Sequence, residues 1–400
     1  MKHILIVNCV FDPEPIVSAQ ICSSLAEVLS KSDNNVTVIV PYPSRPLGLQ
    51  FDELRKKTNS VLKFSTKKQF TCYYLPSYIY PKSGIIGRLR ESISFGIASY
   101  RFIMSSKENY DVVYMNTWPI FGQLGVTLAC LRREIPYVVH IMDIYPESIS
   151  KRLPFPLKEL TNLLLMPIEK IILNKAKRII AISNKMKIYL KESRSLDLEK
   201  IDVVLNWQDE NEFTLDEKVV NNEKRVFMYL GNIGPVAGIP LLIETFSKLN
   251  AKLIIAGSGS YKNNCEQYSK KFTNLDVEFL EVPLGKVAEV QSKADVMLLP
   301  IMKGYANTSI PSKLPAYMLS AKPILVIADL ESDSVETVLN AKCGWAVEYG
   351  NPNLVIEKVN EILNVERVKL REIGLAGQVY AKNNFGKSNN LMKLKTAILN

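Results

Sequence analysis

The chain has 400 residues, of which 47% are hydrophobic and 22% charged, a composition typical of a globular protein with more than one hydrophobic core. Its formal net charge of +10 favours an anionic partner such as a nucleic acid, a phosphate ligand or an anionic membrane surface, although solubility alone would also explain it. No motif for binding DNA or RNA is visible, which argues against a nucleic-acid partner.

Strand and helix patterns alternate through the first half of the chain. An apolar run at 4–10, a helical pattern at 17–29 and an apolar run at 36–40 predict strand, helix and strand, the βαβ unit of a doubly wound fold. The alternation continues through an amphipathic helix at 86–104 and a basic helical stretch at 157–176. It predicts a first Rossmann-like domain over residues 1–205.

A polar and acidic segment at 205–223 is the best candidate for an interdomain linker, and the alternation restarts after it. Further strands are predicted at 226–230, 252–256, 277–280, 296–299, 323–328 and 345–347. They predict a second Rossmann-like domain over residues 206–383. The expected fold class is therefore α/β, with two doubly wound domains facing a cleft.

The cysteine and histidine content argues against a disulfide framework or a metal centre. The six cysteines are scattered without a C-x-x-C pair, as is typical of core residues in a reducing compartment. His3 and His140 are the only histidines, so no metal site is expected. The N-terminal apolar run stops at Asp12, and no apolar run approaches the ~18–20 residues that span a bilayer, so we expect a cytoplasmic protein.

Two glycine turns follow predicted strands of the second domain, where open α/β sheets bind ligands. Gly231, Asn232 and Gly234 lie in a turn that would bring backbone N–H groups close to a phosphate, although a plain tight turn has the same pattern. The second turn, Gly257-Ser258-Gly259, lacks the full dinucleotide fingerprint. Together with Val282 and Pro283, which follow the next predicted strand, it is assigned to a nucleoside site.

The segment 307–314 is the most informative loop. Proline is favoured in the first helical turn, so Pro311 predicts a helix start. The amides of that turn, the Ser312 hydroxyl and the Lys313 ammonium could converge on an anion, although a surface capping turn would look similar. The segment adds six residues to the predicted phosphate site, namely Ser309, Ile310, Pro311, Ser312, Lys313 and Leu314.

The first domain carries its candidate residues around one apolar strand. His140 lies near the end of that strand, and Asp143 and Glu147 follow it, where catalytic acids belong. A buried core histidine and loop-bracing carboxylates are the alternatives. Pro13 and Glu14, in the loop after the first predicted strand, and Asn116, after the strand at 112–115, are further candidates in this domain. The basic helices between 82 and 190 are either solvated faces or surfaces that rest on anionic lipid.

Several of these stretches have counterparts in one family. They are Val204-Leu205-Asn206-Trp207-Gln208-Asp209, Tyr229-Leu230-Gly231-Asn232-Ile233-Gly234, Ala256-Gly257-Ser258-Gly259, Ile310-Pro311-Ser312-Lys313-Leu314 and the segment 140–148. Taken in the order of the chain, they resemble the motifs of the retaining GT-B glycosyltransferases of the family-4-like type, which includes many capsule and O-antigen transferases. The segment 140–148 is similar to the Q-D-L-W-P-E-S motif of a subgroup that includes aminosugar transferases.

The resemblance implies transfer of a sugar from a nucleotide-diphosphate donor, UDP-linked by preference, with retention of configuration and without a bound metal. The acceptor would be a polyprenyl-linked or other oligosaccharide, and the protein would work in the cytoplasm, with peripheral attachment to the inner membrane face as a further option. Lys313, Ser312 and the turn at 231–234 would stabilise the leaving diphosphate. Asp143, Glu147 and His140 would face the acceptor or the donor sugar. Pro13, Glu14 and Asn116 would lie on the acceptor side. A C-terminal helix at about 384–400 would pack back on the first domain.

The sequence also departs from the family pattern. The paired glutamates of the family's E-x7-E motif would fall on Thr308 and Ala316, and Pro235 replaces a basic residue after the first glycine turn. A catalytically degenerate saccharide-binding or scaffold partner therefore stays open as an alternative. Two histidines in the whole chain argue against a GT-B epimerase, and the incomplete glycine fingerprints argue against a dinucleotide oxidoreductase.

Overall fold

The computed structural model describes residues 1–14, 16–43, 62–65, 70–79, 85–116, 120–150, 153–213, 223–283, 285–302 and 311–400. The chain divides into two compact units, one made of residues 1–204 and 391–400 and the other of residues 205–390. Residues 384–390 thus belong to the second unit, and the C-terminal helix begins only at Lys387. The part of the chain end that lies in the first unit is shorter than the predicted 384–400.

The first unit contains an eight-stranded sheet in the order β3-β4-β2-β1-β5-β6-β7-β8. Neighbouring strands are parallel except for β3 and β4, which are antiparallel. The strands are β1 (His3–Val7), β2 (Asn35–Pro41), β3 (Leu62–Ser65), β4 (Thr71–Leu75), β5 (Val112–Asn116), β6 (Tyr137–Ile141), β7 (Arg178–Ala181) and β8 (Ile201–Val203). The central strands β1, β5 and β6 are nearly or entirely buried, because helices cover parallel sheets on both faces.

The helices of the first unit are α1 (Val17–Ser30), α2 (Ile85–Ser105), α3 (Ile120–Arg132), α4 (Glu147–Ser150), α5 (Leu157–Lys175) and α6 (Asn184–Arg194). Helices α2, α3 and α5 share one apolar core with a face of the sheet, to which they contribute Phe95, Ala129 and Ile172. A Cβ on Gly125 would lie 2.3 Å from the Gly96 carbonyl oxygen, so only glycine permits the close crossing of α2 and α3.

The second unit contains a six-stranded parallel sheet in the order β11-β10-β9-β12-β13-β14. Its strands are β9 (Val226–Leu230), β10 (Lys252–Ala256), β11 (Asp276–Leu280), β12 (Val296–Pro300), β13 (Ile324–Ile327) and β14 (Gly344–Val347). Its helices are α7 (Ile239–Phe246), α8 (Lys262–Ser269), α9 (Val287–Ser292), α10 (Lys313–Leu319), α11 (Asp333–Asn340), α12 (Pro352–Leu363) and α13 (Arg367–Phe385), and α14 (Lys387–Leu399) begins in this unit and ends in the first.

Alternate residues of β9 point to opposite faces of this sheet, as the two-residue repeat of a strand requires. Met228 lies in the core that contains Tyr317 of α10, whereas Phe227 and Tyr229 lie in the core on the other side.

Among the described helices of both units, none is long and apolar enough to cross a membrane.

The acidic segment predicted as a linker is anchored within the second unit where the structure describes it. The Lys387 amide donates to Glu210 Oε2 at 2.6 Å, and Lys387 Nζ donates to Asp209 Oδ2 at 2.8 Å. The Gln208 amide also donates to the Phe385 carbonyl oxygen. These acidic residues therefore hold the turn between α13 and α14, while the rest of the predicted linker, residues 214–222, lies outside the described residues.

The antiparallel pairing of β3 with β4 was not predicted. The two strands have four and five residues, and Leu62 lies opposite Tyr74 in the pairing. The strands that were predicted are continuous apolar runs, whereas these two segments, LKFS and TCYYL, mix polar and apolar residues over a few positions.

Candidate functional site

Four groups of predicted residues lie at the carboxyl edge of the second sheet. Strands β11, β10, β9 and β12 are consecutive neighbours, and each leads into one of the groups. In that order the groups are Val282 and Pro283, the turn at 257–259, the turn at 231–234, and the segment that enters α10. The edge of the sheet thus brings together the predicted nucleoside and phosphate residues that the structure describes.

Backbone hydrogen bonds tie these turns to one another. The Gly231 amide donates to the Ala256 carbonyl oxygen at 2.9 Å, and the Ile233 amide donates to that of Ser258 at 2.8 Å. The Gly257 amide donates to the Leu280 carbonyl oxygen at 2.8 Å. The turns therefore continue the pairing of the strands before them.

Glycine is required where the turns at 231–234 and 257–259 meet. A Cβ on Gly257, whose φ is +132°, would lie 2.1 Å from the Gly231 carbonyl oxygen, and one on Gly231 would lie 2.3 Å from Lys313 Cε. Because glycine has no side chain, the two turns can approach each other closely, and the Lys313 side chain can lie across the turn at 231–234.

Lys313 is held by a tyrosine that the sequence did not single out. Its Nζ donates to Tyr229 Oη at 2.6 Å and lies 4.4 Å from the centroid of the Tyr229 ring. The Tyr229 hydroxyl donates in turn to the Asn232 carbonyl oxygen at 2.7 Å. Burial lowers the pKa of Lys313 to about 8. In the sequence, Tyr229 begins the motif at 229–234, but no role was assigned to it; it lies one residue before the end of β9, and its hydroxyl reaches past the strand.

The start of α10 differs from the prediction. The helix begins at Lys313, with Ser312 as the residue before it, and not at Pro311. The Leu314 amide donates to the Pro311 carbonyl oxygen at 3.0 Å, and the Leu314 side chain is fully buried, so Leu314 is not available to a ligand as predicted. Because Pro315 has no N–H, this turn offers an anion at most the amides of Ser312 and Lys313.

The remaining predicted residues of this segment lie between the two positions of the family's glutamate pair. The predicted residues Ser309 and Ile310, like Thr308, lie outside the described residues. Ala316, at the second position of the family's glutamate pair, is 8% exposed and packs in the core. The position therefore contributes packing to α10 and no polar group to the edge of the sheet.

The hydroxyl of Tyr317 fixes α10 to β9. It accepts from the Leu230 amide at 2.9 Å and donates to the Leu230 carbonyl oxygen at 2.7 Å. The tyrosine thus occupies both hydrogen-bonding groups of the last residue of β9 and sets the distance between the helix and the first glycine turn.

The first sheet also places its predicted residues at one edge. Strands β1, β5 and β6 are neighbours. Pro13 and Glu14 follow β1, Asn116 ends β5, and His140 is the penultimate residue of β6. Glu14 and Asn116, which we expected on the acceptor side, are 4% and 6% exposed. Both need a change of conformation before a substrate can touch their side chains.

His140 is a buried neutral histidine. Its side chain is almost fully buried, its Nδ1 lies 2.7 Å from Tyr114 Oη, and burial lowers its pKa to about 3. A proton is therefore held too weakly at neutral pH for His140 to act as a general acid in this conformation. Asp143, three residues later, is exposed.

Glu147 is engaged by a buried arginine. Arg194 donates from Nη1 and Nη2 to the two oxygens of Glu147 at 2.8 and 2.7 Å, from Nε to Glu169 at 2.5 Å, and from Nη2 to the Tyr145 carbonyl oxygen. The Tyr189 hydroxyl adds a hydrogen bond of 2.6 Å to Glu147. The loop between β6 and α5 is thus clamped to α6.

The pKa values of the two carboxylates in this cluster are shifted in opposite directions. Burial raises the pKa of Glu169 to about 7, against the influence of Arg194. Burial would also raise the pKa of Glu147, but hydrogen bonds from Arg194 and Tyr189 outweigh it and lower that pKa. Glu147 is therefore the ionised partner of Arg194, a geometry that favours the bracing alternative over direct catalysis.

The side chains that could coordinate a metal ion are dispersed in the part of the chain that the structure describes. In the ranges that the structure describes, no three side chains of histidine, cysteine, aspartate or glutamate lie close enough to hold one ion. At the carboxyl edge of the second sheet, Lys313 is a cation whose position is fixed by its hydrogen bond to Tyr229.

Two Rossmann-like units, each with candidate residues at the carboxyl edge of its sheet, are the architecture of the GT-B class of glycosyltransferases. The model of Glycosyltransferase Family 4 matches residues 19–212, and that of Glycosyl transferases group 1 matches residues 210–374. The chain is therefore a glycosyltransferase with a family 4 domain followed by a group 1 domain.

Named relatives agree with these matches. The chain is 23% identical over 389 residues to CapM of Staphylococcus aureus, a capsular polysaccharide biosynthesis glycosyltransferase, covering 92% of this chain and 86% of that one. It is 22% identical over 268 residues to WbjE of Pseudomonas aeruginosa, a probable glycosyltransferase, covering 64% of this chain and 67% of that one.

Solved structures share the fold. HepE of Anabaena, in complex with UDP and glucose, matches with a TM-score of 0.69 at 15% identity, over 99% of both chains. WaaG, a glycosyltransferase involved in lipopolysaccharide biosynthesis, matches with the same TM-score, identity and coverage.

Proposed function

We propose that the chain transfers a hexose or aminosugar from a UDP-linked donor to a polyprenyl-linked or other oligosaccharide acceptor, with retention of configuration. The observation that carries the proposal is the Lys313 ammonium, which is held across Gly231 at the edge where four strands end. The process would be the synthesis of a cell-surface polysaccharide of the capsule or O-antigen type. CapM is named for such a process, and HepE was solved with UDP and glucose.

Lys313 suits the stabilisation of a leaving diphosphate. When the bond between the anomeric carbon and the phosphate oxygen breaks, the diphosphate gains negative charge. A fixed ammonium and nearby amides stabilise that charge without reorganising. In this proposal Lys313, Ser312 and the turn at 231–234 bind the diphosphate, and the turn at 257–259 with Val282 and Pro283 binds the nucleoside. No bound metal is needed for the leaving group, because Lys313 supplies the positive charge.

Asp143 is the proposed residue for the acceptor side. It is exposed and follows β6, whereas His140 is buried and Glu147 is paired with Arg194. The acceptor hydroxyl would attack the anomeric carbon from the face that the diphosphate leaves, which retains the configuration. Its proton would pass to Asp143 or to a leaving phosphate oxygen. Glu147 and His140 would position the loop and the strand that carry Asp143.

The cellular place of the reaction follows from the acceptor. A polyprenyl-linked acceptor is anchored in a membrane, so we propose a cytoplasmic enzyme that works peripherally at the inner face of the cell membrane. The net charge of +10 supports attraction to an anionic surface.

A panel of UDP- and GDP-sugars tests the proposal. We expect one UDP-sugar to be hydrolysed slowly and to be transferred when a lipid-linked saccharide is added, with the anomeric configuration of the product retained in its NMR spectrum. The D143N variant should bind UDP as the wild type does but lose transfer. Failure of both UDP and GDP to bind at millimolar concentration in calorimetry would overturn the donor assignment.

A further inference from the structure

Three helices of the first unit carry large side chains that are exposed in the part of the chain that the structure describes. Helix α2 packs along α3, and α3 packs along α5. Their inner sides bury Phe95, Ala129 and Ile172 against the sheet, so the exposed positions of the three helices point away from it. We refer to these exposed positions of α2, α3 and α5 as the outer helical face.

The outer helical face is rich in large apolar side chains. Four lie on α2 (Ile86, Leu89, Ile93 and Ile97), with exposed fractions from 41% to 71%. Two lie on α3 (Leu128 and Leu131), and five lie on α5 (Leu157, Leu160, Leu163, Leu164 and Ile171), with exposed fractions from 43% to 72%. Soluble monomers rarely expose contiguous apolar patches on this scale, and such patches mark interaction surfaces.

The charges on this face are almost all of one sign. The exposed cations of the three helices are Arg90, Arg101, Arg132, Lys158, Lys170 and Lys175. The one exposed carboxylate among the described residues of these helices is Glu159. Glu91 is half-buried and paired with Arg88 at 2.8 Å, and Glu169 belongs to the buried Arg194 cluster. Six exposed cations against one exposed anion give the face a strong positive charge.

We propose that the outer helical face docks on an anionic lipid bilayer. Apolar side chains would enter the boundary between headgroups and acyl chains, and the six cations would contact the headgroups, as in interfacial amphipathic helices. A second copy of this chain is a poorer occupant, because pairing two such faces would place like charges against each other.

The proposal names the surface for the peripheral attachment given under the proposed function, but it does not depend on sugar transfer. Docking rests on side chains of α2, α3 and α5, whereas donor binding rests on Lys313 and the glycine turns of the second unit. The two proposals can therefore fail separately.

Sedimentation with vesicles tests the docking surface. We expect the full chain to bind vesicles of equimolar phosphatidylcholine and phosphatidylglycerol, and to bind vesicles of phosphatidylcholine alone at least about ten-fold more weakly. The double variant L163E/L164E should bind the anionic vesicles about ten-fold or more weakly than the wild type, because it removes apolar contact and adds negative charge. Calorimetric UDP binding and the melting temperature should not change.

A matched control adds the same charge elsewhere. Leu163 and Leu164 are 72% and 60% exposed, and Val368 and Val379 on α13 are 69% and 60% exposed. The V368E/V379E variant should therefore bind vesicles as the wild type does. Equal vesicle binding by L163E/L164E and the wild type would overturn the proposal. So would a wild type that ignores vesicles but forms a dimer in light scattering that L163E/L164E abolishes.

Discussion

Among single residues, Lys313 has the environment most suited to an anionic ligand. Its ammonium lies against the ring and the hydroxyl of Tyr229, and burial has already lowered its pKa to about 8. A half-buried ammonium such as that of Lys313 gains more from a diphosphate than a fully exposed lysine does, because water screens the attraction less. The residue is therefore where a change of charge should affect donor binding most.

The K313A variant should lower kcat/KM for the nucleotide-sugar by ~10²-fold, the scale of removing one contact to a developing anion. The exposed Lys286, which pairs with Glu289, offers a control with the same loss of charge, and K286A should leave kcat/KM within two-fold or so of the wild type. Steady-state kinetics with purified proteins measures both. A K313A enzyme as active as K286A would exclude Lys313 from the donor site.

The pH dependence of donor binding has a defined sign. In the proposed site Lys313 would bind the diphosphate as an ammonium, so the KM for the donor should be lowest below pH 8 and rise as pH passes through about 8. In K313R the guanidinium keeps its charge, so that rise should disappear even if affinity is lower. A KM that rises above pH 8 equally in the wild type and K313R would assign the effect to another group.

The alternation of elements gave the approximate places of the predicted site residues. Gly231 and Gly257 stand directly after strands, and Lys313 begins the helix that follows β12. The partners of these residues are distant in sequence, as Tyr229 and Lys313 or Glu147 and Arg194 show. No periodic signal links such pairs. The sequence therefore offered bracing as an alternative role for Glu147 but did not indicate Arg194 as its partner.

Among the connecting elements, the junction of the two glycine turns is the most constrained. The G257A variant should push the turns at 231–234 and 257–259 apart, because its Cβ would lie 2.1 Å from the Gly231 carbonyl oxygen. We expect UDP to bind at least about ten-fold more weakly and stability to fall by more than about 1 kcal/mol. Calorimetry and urea unfolding measure the two effects.

Gly350 provides the control for backbone strain alone. Its φ is +102°, and a Cβ there would meet no atom within 4 Å. The G350A variant should lose stability but bind UDP as the wild type does. If G350A weakened UDP binding as much as G257A, the effect would come from general strain and not from the separation of the turns.

The clamp on the loop between β6 and α5 makes a prediction about stability. The pKa of Glu169 is about 7 in the folded chain against an ordinary value of 4.5, so the native state holds this proton more tightly than the unfolded state. Its contribution to stability is complete below pH 4.5 and is lost as pH rises through 7. The free energy of unfolding of the wild type should therefore fall between pH 5 and 8 relative to the E169Q variant, by about 1–3 kcal/mol.

Urea unfolding of both proteins across that pH range measures the difference. The neutral amide of E169Q cannot titrate, so the remaining pH dependence belongs to the other groups of the protein. A constant difference between the two proteins from pH 5 to 8 would mean that Glu169 keeps the same charge throughout, and that Arg194 outweighs burial.

The start of α10 shows where the prediction of elements ended. Proline at 311 correctly indicated a nearby helix, but the Leu314 amide bonds to the Pro311 carbonyl oxygen and the helix begins two residues later. Proline fixes its own φ angle and does not decide whether the next residues continue an α-helix or first form a tighter turn. The binding chemistry of this segment therefore rests on the Lys313 side chain more than on helix amides.

For the whole molecule, the division into two units separates the residues proposed to bind the donor from those proposed to serve the acceptor. The described residues of the proposed donor site belong to the unit of residues 205–390, and Asp143 with the residues around it belongs to the other unit. Both sheets place these residues at their carboxyl edges, which is the common property of open α/β sheets. The alternation of strands and helices predicted this architecture, because two separate runs of βα units need two sheets.

This division predicts where UDP should protect the chain from hydrogen exchange. At a concentration of about 100 times its Kd, a ligand stabilises the state that it binds by ≈ 2.7 kcal/mol, which slows exchange by about 100-fold for amides that open with the binding unit. The largest gains should lie in peptides that cover 226–234, 252–260 and 311–319, because these hold the glycine turns and Lys313. In K313A the same concentration should protect these peptides much less, since the bound fraction is smaller. Protection concentrated instead in residues 137–150 would place the nucleotide at the edge of the first sheet and reverse the assignment of donor and acceptor units.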